Sequence, residues 1–156
     1  MRQAYRFIAG FIALLVVVQA AMIALDVFGM FKFVDDGGSF DKTSFESEEV
    51  LYNEQVGAMI HGTVGMILIP LLALVLLIVA SFARVDKGVR LAAIVVGLVV
   101  VQVLLAFASF GAPVVGALHG ANAFAILGVA VLATARAGRP AAARPSTTTA
   151  ESSVSA

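Results

Sequence analysis

Four long apolar stretches alternate with short polar segments along the chain. The stretches cover about residues 7–28, 56–82, 91–110 and 114–135. A helix that crosses the hydrocarbon core of a bilayer needs about 20 mostly apolar residues, because its backbone polar groups must bond to one another there. The pattern therefore predicts an all-α, integral membrane four-helix bundle over residues 1–136.

The first apolar stretch follows a short basic segment, so a secretory signal peptide is the alternative interpretation of this region. The apolar part of a signal peptide is typically about 7–15 residues long. The stretch that starts at Phe7 continues to Phe28. Its length favours a helix that stays in the protein.

Basic and acidic residues are separated along the chain. The segment 31–54 carries most of the carboxylates, whereas eight Lys and Arg residues lie at the other helix ends. Because cytoplasmic loops retain Lys and Arg, we expect a multi-pass protein of the cell membrane with both termini cytoplasmic and loop 31–54 outside. The eight basic residues are Arg2, Arg6, Arg84, Lys87, Arg90, Arg136, Arg139 and Arg144.

Composition agrees with a membrane protein and narrows its chemistry. Hydrophobic residues make up 61% of the chain, charged residues 13%, and the mean hydropathy is +1.03. The absence of Cys excludes disulfides, iron–sulfur clusters and covalent c-type haem attachment. The lipid bilayer is the expected surrounding, no nucleic-acid partner is expected, and the Ala-, Ser-, Thr- and Pro-rich segment 137–156 is predicted to be a disordered cytoplasmic tail.

The apolar stretches contain an internal repeat. Residues 16–19 and 99–102 both read Val-Val-Val-Gln, and a His-Gly pair stands at 61–62 and again at 119–120. The repeat predicts two tandem helix pairs that run in the same direction across the membrane. With a rise of about 1.5 Å per residue, both histidines should lie roughly 9 Å below the outer surface, and both glutamines roughly 14 Å.

His61 and His119 are the only histidines, and both fall inside predicted spans. An ionisable residue in the bilayer is costly and usually functional, and a neutral imidazole binds metals well. Two imidazoles facing each other in a bundle suit the axial positions of a haem iron, whereas zinc requires three or four protein ligands. Interhelical hydrogen bonding or a proton relay is the alternative.

Neighbouring residues allow a cofactor or a structural interpretation. Gly65 and Gly120 give space for a flat macrocycle, or allow close helix packing. Gln19 and Gln102 orient the ligand imidazoles, or bond to neighbouring helices; Thr63 and Asn122 are open to the same two interpretations. Asp26 is expected at the interface. The residues placed to meet haem propionates are Tyr52, Asn53, Gln55, Lys32 and Lys42.

These features resemble one four-helix half of the haem A synthase family, and small uncharacterised four-helix membrane proteins of the same architecture. The residues that carry the resemblance are Val-Gln-Val-Leu-Leu at 101–105 and Leu-His-Gly-Ala-Asn-Ala at 118–123. It implies haem-ligand roles for His61 and His119. Ala58 and Gly62 stand where that family has a glutamate and an arginine, so no catalytic residue is carried over.

The sequence thus predicts a b-type haem protein whose iron is held by His61 and His119 near the outer leaflet. Two strong ligands favour electron transfer, with a quinone or a membrane redox complex as partner, and a homodimer is compatible with so small a bundle. Whether the protein is an enzyme is left open. The alternatives are a haem-free accessory subunit of a membrane complex and a small transporter half that uses Asp26 and the histidines.

Overall fold

The computed structural model of the protein describes residues 1–47 and 49–139, except for the side chain of Phe45. The helices of this part are α1 (Arg2–Asp35), α2 (Lys42–Glu46), α3 (Val56–Thr63), α4 (Ile69–Ala83), α5 (Gly88–Gly111) and α6 (Val115–Gly138). A 3₁₀ turn (Asn53–Gln55) leads into α3, and a π-helical turn (Val64–Leu68) joins α3 to α4. The result is one continuous helix, Asn53–Ala83.

Four helices of the described part are long and apolar enough to cross a membrane: α1, Asn53–Ala83, α5 and α6. They pack as a ring in which α1 contacts α3, α4 and α6, while α5 contacts α4 and α6. The predicted all-α four-helix bundle is confirmed. We refer to the end that carries residues 36–55 as the loop end, and to the opposite end, with the N-terminus and residues 84–87, as the terminal end.

The helices extend beyond the predicted apolar stretches. α1 runs on to Asp35, so the predicted loop 31–54 begins with helical residues and also contains α2, whose first turn is capped by Asp41. The Ser44 backbone amide donates to the Asp41 carboxylate over 2.9 Å, which satisfies one of the unpaired donors at a helix start. At the other end α6 includes Ala137 and Gly138, and residues 140–156 of the predicted tail lie outside the described residues.

The apolar core lies in the terminal half of the bundle. Alanine supplies many of its members, and small residues let membrane helices approach closely without a hydrophobic driving force between them. The buried apolar residues are Tyr5, Ala9, Ile12, Ala13 and Leu15 in α1, Ile69, Ala73, Leu76, Ala80 and Ala83 in α4, Leu91, Ala92, Val95 and Val99 in α5, and Ile126, Ala130, Ala133 and Ala137 in α6.

Two hydrogen bonds from α1 side chains to backbone carbonyls close the terminal end. The Tyr5 hydroxyl is fully buried and donates to the Gly88 carbonyl over 3.1 Å, which ties α1 to the start of α5. Arg2 Nε donates to the Ala137 carbonyl over 2.8 Å, which ties α1 to the end of α6. These bonds fix three helices at the same end as the apolar core.

The loop half of the bundle is packed differently. Its four helix segments, 20–35, 56–68, 100–111 and 115–125, contain no buried apolar side chain. The extensive packing of α3 is with α1 alone, where Gly57 lies directly against the Met22 carbonyl. The loop half therefore places polar residues, rather than a close-packed apolar core, between the helices.

Candidate functional site

The two histidine rings meet in the loop half of the bundle. The ring centroids of His61 in α3 and His119 in α6 are 6.2 Å apart, and the ring planes are inclined by 56°. Both side chains are half-buried. The prediction that the histidines share one level and face each other is confirmed.

The hydrogen bond made by His61 determines which of its nitrogens carries the proton. Nδ1 lies 3.1 Å from the backbone carbonyl oxygen of Gln19. A carbonyl only accepts, so Nδ1 carries the hydrogen and donates it. In the neutral ring the lone pair is then on Nε2, the atom left to bind a metal.

His119 makes the equivalent bond in the second helix pair. Its Nδ1 lies 3.1 Å from the backbone carbonyl oxygen of Gln102 and donates to it. Gln19 and Gln102 are the repeated glutamines, so each copy of the helix pair joins its histidine to the same backbone position. The equal geometry agrees with the two tandem repeats, and it leaves Nε2 as the lone-pair nitrogen of both rings.

Asn122 fixes the orientation of the Gln102 side chain. Asn122 Nδ2 donates to the Leu98 carbonyl over 2.9 Å and to Gln102 Oε1 over 2.7 Å. With its oxygen held by Asn122, the Gln102 amide directs Nε2 to His119 Nε2, 3.1 Å away, and donates to that lone pair. Sequence reasoning left Asn122 ambiguous, and the structure places it directly behind Gln102.

Gln19 has no such support in the first helix pair. Its side chain is only 7% exposed, and neither Nε2 nor Oε1 has a hydrogen-bond partner among the described residues. The position that corresponds to Asn122, three residues after the histidine, is Val64, which cannot hold an amide. Val64 also begins the π-helical turn, and single π turns occur often at functional sites.

The glycines around the histidines have different surroundings. A Cβ added to Gly120 would meet no atom of a neighbouring element within 4 Å, and the same holds for Gly62. A Cβ on Gly65 would lie 3.3 Å from Gln19 Oε1, so this glycine makes room for the buried amide. Gly57 is the residue that allows α1 and α3 to pack closely.

Two of the residues predicted to meet haem propionates, Tyr52 and Lys32, pair with carboxylates at the loop end of the bundle. The Tyr52 hydroxyl donates to Asp26 over 2.9 Å, and burial, together with that bond, raises the pKa of Tyr52 to about 12. Lys32 pairs with Asp36 at 2.8 Å. The pairing of Asp26 with Tyr52 was not predicted, because nothing in the spacing of two residues 26 apart indicates contact.

Lys42 and Gln55, which were also predicted to meet propionates, contact other residues of the loop end, and Thr63 is exposed. Lys42 lies 3.6 Å from Glu46, and Gln55 Oε1 accepts from the Leu51 amide over 2.9 Å. The side chain of Thr63 is exposed and forms no hydrogen bond with the part of the chain that the structure describes. Thr63 therefore takes no part in the polar cluster around the histidines.

The donor set fits haem better than a metal held by protein alone. Two imidazoles that bind one ion from opposite sides have ring centroids about 6 Å apart, since each metal–nitrogen bond is about 2 Å and each centroid lies about 1 Å behind its nitrogen. The observed centroid distance of 6.2 Å is compatible with this spacing. Residues 1–47 and 49–139 contain no group of three or more His, Cys, Asp or Glu that could hold a metal ion. A porphyrin supplies the remaining four ligands itself.

Comparison with known proteins gives no assignment: no family model, no curated protein and no solved structure matches this chain. Function therefore has to be argued from the site.

Proposed function

We propose that the protein binds haem b in the loop half of the bundle, where His61 and His119 would hold the iron, and transfers electrons within the membrane. The observation that carries the proposal is the spacing of 6.2 Å between two rings that both keep a lone pair on Nε2. The helix segments around the histidines bury no apolar side chain in the described part of the chain, so a bound group would displace no buried apolar side chain there.

Each part of the site has a defined task in this proposal. A bound haem supplies one-electron chemistry. The Nδ1–H bonds of His61 and His119 to backbone carbonyls hold the rings in one tautomer and orientation and increase the basicity of Nε2. Two histidine ligands favour electron transfer over oxygen activation, with a quinone or a membrane redox complex as partner.

The distribution of charge supports an orientation in the cell membrane. The Lys and Arg residues of the terminal end would lie in the cytoplasm, and the acidic loop end outside. The histidines, which lie nearer the loop end, would then exchange electrons close to the outer leaflet. A fusion reporter at residue 156 that is active only in the cytoplasm tests this orientation.

Visible absorption spectroscopy of the purified protein tests haem binding. The protein is expressed with ample haem precursor, and we expect a Soret band and, after reduction, the bands of a b-type haem. His61→Ala and His119→Ala should each remove or strongly alter these bands. Met59→Ala, a change to an exposed side chain two residues before His61, is the matched control and should leave the spectrum unchanged.

A haem-free accessory subunit is the second candidate, and the hydrogen bonds of the histidines favour it. His61 ties α3 to α1 through Gln19, and His119 ties α6 to α5 through Gln102, so both rings already have an interhelical task. Under this alternative the purified protein is folded and colourless even with haem precursor in excess. His61→Ala and His119→Ala would then lower stability without any spectral effect.

A further inference from the structure

His61 and His119 differ in the hydrogen bonding of their Nε2 atoms. His119 Nε2 accepts a hydrogen bond from the Gln102 amide at 3.1 Å. His61 Nε2 has no hydrogen-bond partner in the described part of the chain; the ring bonds only through Nδ1. The lone pair that would bind iron is therefore free on one histidine and engaged on the other.

The difference between the two histidines comes from one position of the repeat, the residue three positions after the histidine. Asn122 donates to Gln102 Oε1 at 2.7 Å and is itself held by the Leu98 carbonyl, so the Gln102 amide cannot rotate without losing a bond. In the first helix pair the corresponding position is Val64, and the Gln19 amide stays buried without a partner. The second helix pair therefore supplies a hydrogen-bond donor to the Nε2 atom of its histidine, and the first, within the described residues, does not.

We infer that His61 is the firm axial ligand and His119 an exchangeable one, because Gln102 competes with iron for the Nε2 lone pair of His119. The inference rests on the proposed haem function. A lone pair serves one partner at a time, so the His119–iron bond can form only when the Gln102 hydrogen bond is broken. Asn122 is a positioning residue, since it acts by keeping Gln102 in place.

An exchangeable ligand makes the site accessible to ligands from outside. While Gln102 holds His119, a bound haem would be held by His61 alone and could take up a small uncharged molecule of the size of carbon monoxide. One protein hydrogen bond changes such an equilibrium by about tenfold. The Gln102 hydrogen bond therefore determines how readily the ferrous protein takes up a diatomic ligand.

Carbon monoxide titration of the reduced holoprotein, followed in the Soret band, tests the inference. Gln102→Leu removes the competitor, so we expect carbon monoxide affinity about tenfold lower than in the wild type. Asn122→Val copies the residue of the first helix pair and should lower the affinity in the same direction. Gln3→Leu makes the same chemical change at an exposed terminal-end position and should leave the affinity unchanged.

The outcomes separate this inference from the haem proposal. Equal carbon monoxide affinity in the wild type, Gln102→Leu and Asn122→Val, all with haem bound, overturns the inference and leaves the haem proposal standing. Failure of the wild type to bind haem overturns both.

A second measurement needs no haem. In the ¹⁵N-labelled cofactor-free protein, a coupling across the hydrogen bond between Gln102 Nε2 and His119 Nε2 is expected, and Asn122→Val should weaken it. Its absence from the wild type overturns the competition directly. Asn122→Val also serves if Gln102→Leu does not fold.

Discussion

The ring of His61 donates to the backbone carbonyl of Gln19, 3.1 Å away, while the side chain of the same glutamine is buried without a partner. The backbone carbonyl of Gln19 therefore holds the His61 ring, and the Gln19 side chain does not. A substitution of the side chain leaves the carbonyl, and with it the histidine bond, in place. This separation makes the two repeated glutamines a matched pair for mutagenesis.

Gln19→Leu is expected to stabilise the cofactor-free protein by about 1 kcal/mol, because an apolar side chain of similar size removes an unpaired buried amide. Gln102→Leu should instead destabilise it by about 1–3 kcal/mol, since its amide bonds to both His119 and Asn122. Unfolding in mixed micelles measures both changes. A loss of stability in Gln19→Leu would contradict the unpaired state of that amide.

Gly57→Ala is expected to destabilise the bundle by about 1–3 kcal/mol, because the added methyl group would overlap the Met22 carbonyl and push α3 away from α1. The control is Gly97→Ala, where a Cβ meets nothing within 4 Å. That change should be neutral or stabilising by up to about 1 kcal/mol, since alanine favours the helix. Equal effects of the two changes in the same unfolding assay would contradict the close contact between α1 and α3.

Tyr5→Phe should cost about 1–3 kcal/mol of unfolding free energy, because the Gly88 carbonyl loses its buried donor. Asp86→Asn is the control, because it removes the negative charge from the 3.3 Å ion pair of Asp86 and Arg136, in which the Asp86 side chain is 84% exposed. Because solvent reaches the Asp86 carboxylate, the pair should contribute only about 0–1 kcal/mol, so this control should have little effect. A larger loss in Asp86→Asn than in Tyr5→Phe would contradict the importance of the buried bond.

Tyr52 should titrate near pH 12, above its ordinary value of 10.0, because burial and the Asp26 carboxylate disfavour the phenolate. Because folding raises the pKa of Tyr52, first through burial and then through the bond to Asp26, the protonated phenol contributes stability that is fully present below about pH 10 and is lost as the pH rises through about 12. Absorbance of the phenolate in a Tyr5→Phe background isolates this tyrosine.

Asp26→Asn is the matched control for that titration and should bring the midpoint of Tyr52 closer to 10.0, because the nearby negative charge is removed. An unchanged midpoint in the variant would show that Asp26 has no influence on the phenol.

The sequence predicted the four spans and the common level of His61 and His119 because both follow from counting residues along a helix of known rise. The rotation of each helix about its own axis cannot be counted in this way. These helices are apolar on all sides, so no polar face indicates which residues point inward. The contact of Asn122 with Gln102 depends on that rotation and was left ambiguous for this reason.

The difference in packing between the two halves was also not predicted. Apolar residues occur at similar density along each span, and only the structure shows that alanines such as Ala92 and Ala133 are buried while Leu104 and Phe124 are exposed. The end of α1 at Asp35 was missed because the backbone stays helical after the apolar stretch ends.

Because apolar side chains among the described residues are buried at only one end of the bundle, a small tilt of a helix at that end would displace residues at the other end. Ala133 lies about 20 Å along α6 from His119 at the usual helical rise. A change of about 5° in the tilt of α6 at Ala133 would displace the His119 ring by about 2 Å over that length. A larger side chain at Ala133 that tilted α6 by this amount would therefore change the separation of the two imidazoles without contacting either ring.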